Sequence, residues 1–182
     1  RIYDRPYDAA HPDGVLTRWG GSPSTGSVDV NLAYNLLESA YDYFWNRHKR
    51  DSFDGAGHPL FAHVRYSQTG YSLDNNHLYF QEGWATDDVV GHEFTHGVTW
   101  SQLKLVYAND SGAIAESLSD MWGEFIDWEN PYGTDGPSVK WLIGEDLPGG
   151  SIRSMSDPPR FNDPDRARSI YFVENVSDPN LL

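Results

Sequence analysis

The chain has 182 residues, no cysteine and a formal net charge of −14, with 13 Lys and Arg against 27 Asp and Glu. That length suits one domain or two small lobes and can bury a core without disulfide staples. Short apolar runs exclude a membrane-spanning helix of about 20 residues, the aromatic content argues against disorder, a pI near 4.6 argues against a nucleic-acid partner, and the lack of cysteine removes thiolate catalysis and Cys-based metal sites.

Arg1 to Asp4 does not open a signal peptide, so the protein is either intracellular or has already lost a leader. Residues 1–27 read as loop with short extended pieces. A helix is predicted from Asp29 to about His48, because Ala33, Leu36, Leu37, Ala40, Tyr41, Phe44 and Trp45 form one apolar stripe. Turn residues follow at 51–59. Leu60 to Tyr66 alternates as a strand, and Leu78 to Phe80 suggests another. Two further helices are predicted, from about Asp87 to Leu105 with Thr86 or Asp87 as cap, and from about Gly112 to Trp128, ending before Pro131. Residues 131–164 are rich in Gly, Pro, Asp and Ser. So long an irregular segment must be held by something, or bind something.

The first of those two helices carries His92-Glu93-Phe94-Thr95-His96. Positions i and i+4 share a helix face, so both imidazoles can reach one ion. Zinc accepts histidine nitrogen and prefers four ligands in a tetrahedron, which leaves room for one more side chain and a water. Glu93 adjoins the first histidine and can act as general base toward that water. On the next helix Glu116 and Asp120 again lie at i and i+4. A short connection would set the helices antiparallel, so that Glu116 can supply the third zinc ligand and Asp120 can accept a hydrogen bond from a zinc histidine. A solvated helix face is the plain alternative for these two carboxylates, but Ile114, Leu118, Met121 and Trp122 make that neighbourhood apolar.

HEFTH at 92–96, Tyr107, SGAIAESLSD at 111–120, WLIGED at 141–146 and IRSMSDP at 152–158 stand in an order that resembles the thermolysin-type zinc metallopeptidases, the neutral proteases. The resemblance runs from about Val28 to Asp165, and the opening stretch is similar to the branch with shorter proregions. It implies an α+β fold of two lobes, 1–86 and 87–182, with the HExxH helix at the cleft floor and the C-terminal helical lobe incomplete. It implies a secreted zinc endopeptidase made as a zymogen, acting on peptide or protein substrates, with no nucleic acid or membrane partner. The set His92, His96 and Glu116 then matches the His₂Glu arrangement known for thermolysin.

Further roles are implied residue by residue. Glu93 would activate the water and relay its proton, and Tyr107 would donate to the oxyanion. Arg153 would bind a substrate carbonyl and pair with Asp120. Val89, Ile143 and Ile152 would line an apolar pocket for the residue after the scissile bond. Asp88, Asp127 and Glu145 match calcium ligands. Lys140 and Leu142 stand where members with two calcium ions have acids, so one Ca²⁺ at most is expected, with the lysine charge replacing another.

Departures from the family pattern carry their own expectations. All seven histidines (His11, His48, His58, His63, His77, His92 and His96) precede Glu116, whereas the family brings a further histidine from a later helix. The chain therefore resembles the middle of a family member, and its own C-terminal segment, as a separate chain, is an expected partner. Ala115 replaces an asparagine, Trp100 to Lys104 replaces small residues, and the stretch from Tyr71 to Asn76 lacks the Asn-Ala-aromatic-Trp run of the substrate-pairing edge strand. Two rival readings stay open: an inactive zinc-binding pseudo-protease, and a structural zinc module, whose site would be closed by four protein ligands.

Overall fold

A computed structural model describes residues 1–5, 14–72, 74–166 and 169–171; His11 and Leu73 lie outside the described residues. Five short strands form one mixed sheet: β1 (Ile2–Asp4), β2 (Val15–Arg18), β3 (Ala62–Val64), β4 (Gly70–Ser72) and β5 (His77–Phe80), in the order β2-β1-β3-β5-β4. β1, β3 and β5 run parallel, and the two outer strands are antiparallel to their neighbours. The register sets Ile2, Ala62 and Leu78 in one row and Val64 beside Phe80 in another. All five side chains are buried in the core.

That apolar face is covered by α1 (Val28–His48), whose stripe of Val30, Ala33, Leu36, Leu37, Ala40 and Phe44 is buried. Ser27 caps the helix by accepting from the Val30 N–H, and Lys49 ends it in the left-handed conformation. Beyond α1 lies α2 (Asp87–Leu103), which is buried on nearly every side from Asp87 to Thr95. Asp87 and Asp88 in its first turn favour the helix dipole. The third helix, α3 (Asn109–Asp127), packs antiparallel on α2, pairing Asp120 with His92 and Glu116 with His96.

Glycine sets the spacing of that helix pair. A methyl group on Gly91 would stand 3.0 Å from the Gly123 Cα, and one on Gly123 would stand 2.7 Å from the Asp88 carbonyl oxygen. Backbones this close bring short side chains on facing helices into contact.

The helix ends differ from the sequence expectation. α2 stops at Leu103 because Lys104 turns left-handed (φ 47°), which a lysine does not announce. α3 starts at Asn109, ahead of Gly112, with Ala108 at the cap position and no capping side chain. The segment 131–164 contains a small ladder of β6 (Leu142–Ile143) and β7 (Arg153–Ser154) and a 3₁₀ turn, Pro158–Phe161. Helix carboxylates tether it: Gly144 N–H donates to Asp88, and Trp141 N–H donates to Glu124 at 3.0 Å.

Candidate metal and active site

His92, His96 and Glu116 converge, each offering one ligand atom within 4.8 Å of the others. The two Nε2 atoms are 2.9 Å apart, and Glu116 oxygens lie 3.3 Å from His92 Nε2 and 3.2 Å from His96 Nε2. Ligand atoms about 2.0–2.1 Å from a tetrahedral zinc would be about 3.3–3.4 Å apart. The donor set therefore fits zinc in both chemistry and spacing.

The far side of each imidazole is also engaged. His92 Nδ1 meets Asp120 Oδ1 at 2.8 Å, and His96 Nδ1 meets Ser119 Oγ at 3.2 Å. With Nδ1 as the donor, each ring turns its Nε2 lone pair to the common centre. Asp120 is in turn gripped by Arg153, whose Nε and Nη2 donate to its two oxygens at 2.9 and 2.7 Å. β7 brings that arginine in, since Arg153 pairs with Ile143 of β6.

The carboxylates around the two imidazoles favour positive charge at this centre. Burial disfavours the His92 imidazolium, but the Asp120 and Glu116 carboxylates outweigh it and push the group up to about 10. Burial likewise opposes the charged form of Glu116, yet the two histidines hold it far below the usual carboxylate range. Asp120 is also lowered, with His92 and Arg153 overcoming its burial. Zinc would replace the imidazolium proton as the positive charge that those carboxylates surround.

Glu93 is buried between the histidines and lines the same cavity, of about 360 Å³. Its burial raises its proton affinity, and the nearby histidines oppose that shift. Tyr107, on the connection between α2 and α3, donates its hydroxyl to Glu116, so it rests on the carboxylate of the candidate ligand set. Val89, Ile143 and Ile152 line the cavity with Trp84, Trp100 and Tyr71. β4, one of the two edge strands of the sheet, lies at the cavity through Gly70 and Tyr71 although the expected residue run is missing. Strand pairing needs backbone groups rather than that run.

The three expected calcium residues are not drawn together as one set. Asp127 and Glu145 converge with Glu124, which sequence reading passed over. Asp88 instead accepts from Gly144 N–H, from Val89 N–H at 2.6 Å and from the Thr86 hydroxyl at 2.9 Å. Lys140 does not join the acids. Its ammonium lies 4.4 Å over the Trp128 ring, where a cation–π contact holds it. Leu142 is buried in β6. Burial pushes Glu124 up to about 7 and also raises Asp87, Asp127 and Glu145. Ser119 and Glu124 were legible in principle, because Ser119 precedes Asp120 and Glu124 continues the i+4 stripe of Glu116 and Asp120.

Comparison with known proteins places this geometry in a family. Residues 13–100 match the model of the thermolysin metallopeptidase catalytic domain, and residues 103–178 match that of its alpha-helical domain. The chain belongs to the thermolysin metallopeptidase family. It is 36% identical to a zinc metalloproteinase of Renibacterium salmoninarum over 90% of this chain and 34% of that protein. It is 37% identical to an extracellular metalloprotease of Pectobacterium carotovorum subsp. carotovorum, over 80% of this chain and 46% of the other. The precursor of protealysin from Serratia proteamaculans superposes with a TM-score of 0.70 at 33% identity, covering 85% of this chain and 52% of that one. The chain thus spans a third to a half of these thermolysin relatives. The expected α+β fold is the fold of the family. Among the described residues no helix is long and apolar enough to cross a membrane.

Proposed function

We propose that this chain carries the catalytic centre of a zinc-dependent endopeptidase. The supporting observation is the convergence of His92, His96 and Glu116 on the floor of a cavity that also holds Glu93. Bound zinc would supply Lewis acidity toward water and toward a peptide carbonyl. Glu93 takes a proton from the attacking water and passes it to the leaving amine. Its burial suits that relay, because a carboxylate with raised proton affinity holds the proton between the two steps.

Tyr107 and Arg153 serve the substrate. A turn of the Tyr107 hydroxyl away from Glu116 would aim it at the developing oxyanion. Arg153 spends Nε and Nη2 on Asp120, which leaves Nη1 for a substrate carbonyl. An extended peptide would add to the free edge of β4. The apolar wall of Val89, Ile143 and Ile152 favours a bulky apolar residue after the scissile bond. In this reading the chain divides at 86/87 into an N-terminal lobe and the start of a second. A further histidine donor would come from a C-terminal segment, attached or bound as a separate chain. Secretion as a zymogen belongs to the same proposal; one relative is named an extracellular metalloprotease and another structure a precursor. Calcium belongs to it too, with Asp127 and Glu145 as ligands beside Glu124 and with Asp88 fixing the Gly144 backbone.

The test is Glu93→Gln, assayed on a peptide with a bulky apolar residue after the scissile bond. The amide is nearly isosteric and cannot take a proton. Zinc content should persist while turnover falls by several orders of magnitude. Zinc binding with no Glu93-dependent turnover would favour the rival reading, an inactive zinc-binding subunit.

A further inference from the structure

The face of the five-stranded sheet turned away from α1 carries a second pair of histidines, far from the HExxH helix in sequence. The register sets Tyr3, His63 and Tyr79 in one row across β1, β3 and β5. Side chains alternate along a strand, so His77 stands on the same face as Tyr79. His63 Nε2 and His77 Nδ1 meet at 2.9 Å. That is also the separation of the two candidate zinc nitrogens of His92 and His96.

Neighbouring rings hold both imidazoles in place. His63 stacks with Tyr3 and with Tyr79, at ring-centroid distances of 5.0 and 4.7 Å. His77 stacks with Phe61 at 4.8 Å. His63 is only 3% exposed, whereas His77 is half-buried and gives access from solvent. Rings fixed in this way have lost their rotamer freedom before any ligand arrives, which lowers the cost of binding.

We propose that His63 Nε2 and His77 Nδ1 together bind a divalent transition-metal ion on the outer face of the sheet, copper(II) more tightly than zinc. Imidazole nitrogen suits copper, nickel and zinc, and copper stands highest in the affinity order of the first-row ions. An ion about 2.0–2.1 Å from both nitrogens needs them about half an ångström further apart, which a small turn of the half-buried His77 ring provides. One of the two facing nitrogens now carries the proton that the other accepts. On binding, that proton passes to the other nitrogen of its own ring, and both lone pairs face the ion. Water fills the remaining positions. The net charge of −14 raises the local concentration of cations. The ion would clip β3 to β5 and so stabilise the folded chain.

The experiment titrates copper(II) alone into the zinc-loaded 182-residue chain. Electron paramagnetic resonance counts the bound nitrogens, and thermal melts follow stability. At one equivalent the wild type should show copper(II) with two imidazole nitrogens and a raised Tm. His77→Gln should weaken this event by at least about tenfold and abolish the rise in Tm. His63→Gln should do the same, and circular dichroism checks the fold of both. Copper on the exposed His48 or His58, or exchanged into the His92–His96 centre, persists in His77→Gln and is thereby told apart. Excess calcium should not compete, because it takes oxygen ligands. The proposal is overturned if His77→Gln binds copper like the wild type, or if copper leaves the wild-type Tm unchanged. Should both variants unfold, the wild-type spectrum decides, and fewer than two nitrogens overturns the proposal. Peptide turnover enters none of these readings, so the result stands apart from the peptidase assignment.

Discussion

Gly123 lies so close to Asp88 that any side chain at position 123 would collide with the carbonyl oxygen of residue 88. This contact sets the distance between α2 and α3, and through it the meeting of Glu116 with His92 and His96. Gly123→Ala should therefore cost about 1–3 kcal/mol, as overpacked cores do. It should also weaken zinc binding, although the residue lies two turns from Glu116. Denaturant melts and a zinc-competition titration would measure the two effects. Wild-type stability with wild-type zinc affinity would mean that the helix spacing is set elsewhere.

Asp120 joins His92 to Arg153. Asp120→Asn keeps the shape but weakens the acceptor for His92 Nδ1. Zinc affinity should fall by about 10–100-fold, the usual loss when a ligand histidine loses its carboxylate partner. Competition with a chromophoric chelator would read it. An unchanged dissociation constant would reduce Asp120 to a partner of Arg153 alone.

Tyr107→Phe should leave zinc content unchanged, because the hydroxyl donates to Glu116 and is not itself among the proposed ligands. Peptide turnover should drop by about 10²–10³-fold if the hydroxyl serves the oxyanion. Loss of zinc instead of turnover would show that its hydrogen bond to Glu116 is what matters.

Much of this arrangement was legible in the amino-acid order. The α1 stripe from Ala33 to Phe44 and the i, i+4 pairs on α2 and α3 follow helical spacing, which is a local property. The strands β1 and β2 were not legible beyond short extended pieces, because three or four residues carry too little alternation. What holds β1 is its parallel pairing with β3, some 60 residues away. The end of α2 was misplaced because Lys104 adopts a conformation normally marked by glycine. The fate of Lys140 was hidden for a similar reason: its charge suggested the acids, but tertiary packing put Trp128 and Trp141 beneath it.

The cavity wall gives a prediction on selectivity. Ile152 is 36% exposed and lines the cavity, so Ile152→Phe should narrow the pocket without emptying the core. The ratio of kcat/KM for leucine over alanine after the scissile bond should fall by about 10-fold or more, the scale on which pocket volume discriminates. An unchanged ratio would place the leaving-side residue elsewhere.

The most direct measurement is the zinc stoichiometry of the purified chain together with X-ray absorption at the zinc edge, for wild type and for His96→Ala. The wild type should hold about one zinc per chain, bound by two imidazole nitrogens and oxygen donors at about 2.0–2.2 Å, one of them exchangeable with solvent, and His96→Ala should lose most of the metal. Full zinc content in His96→Ala, or a wild-type site closed by four protein ligands, would contradict the centre described by His92, His96 and Glu116.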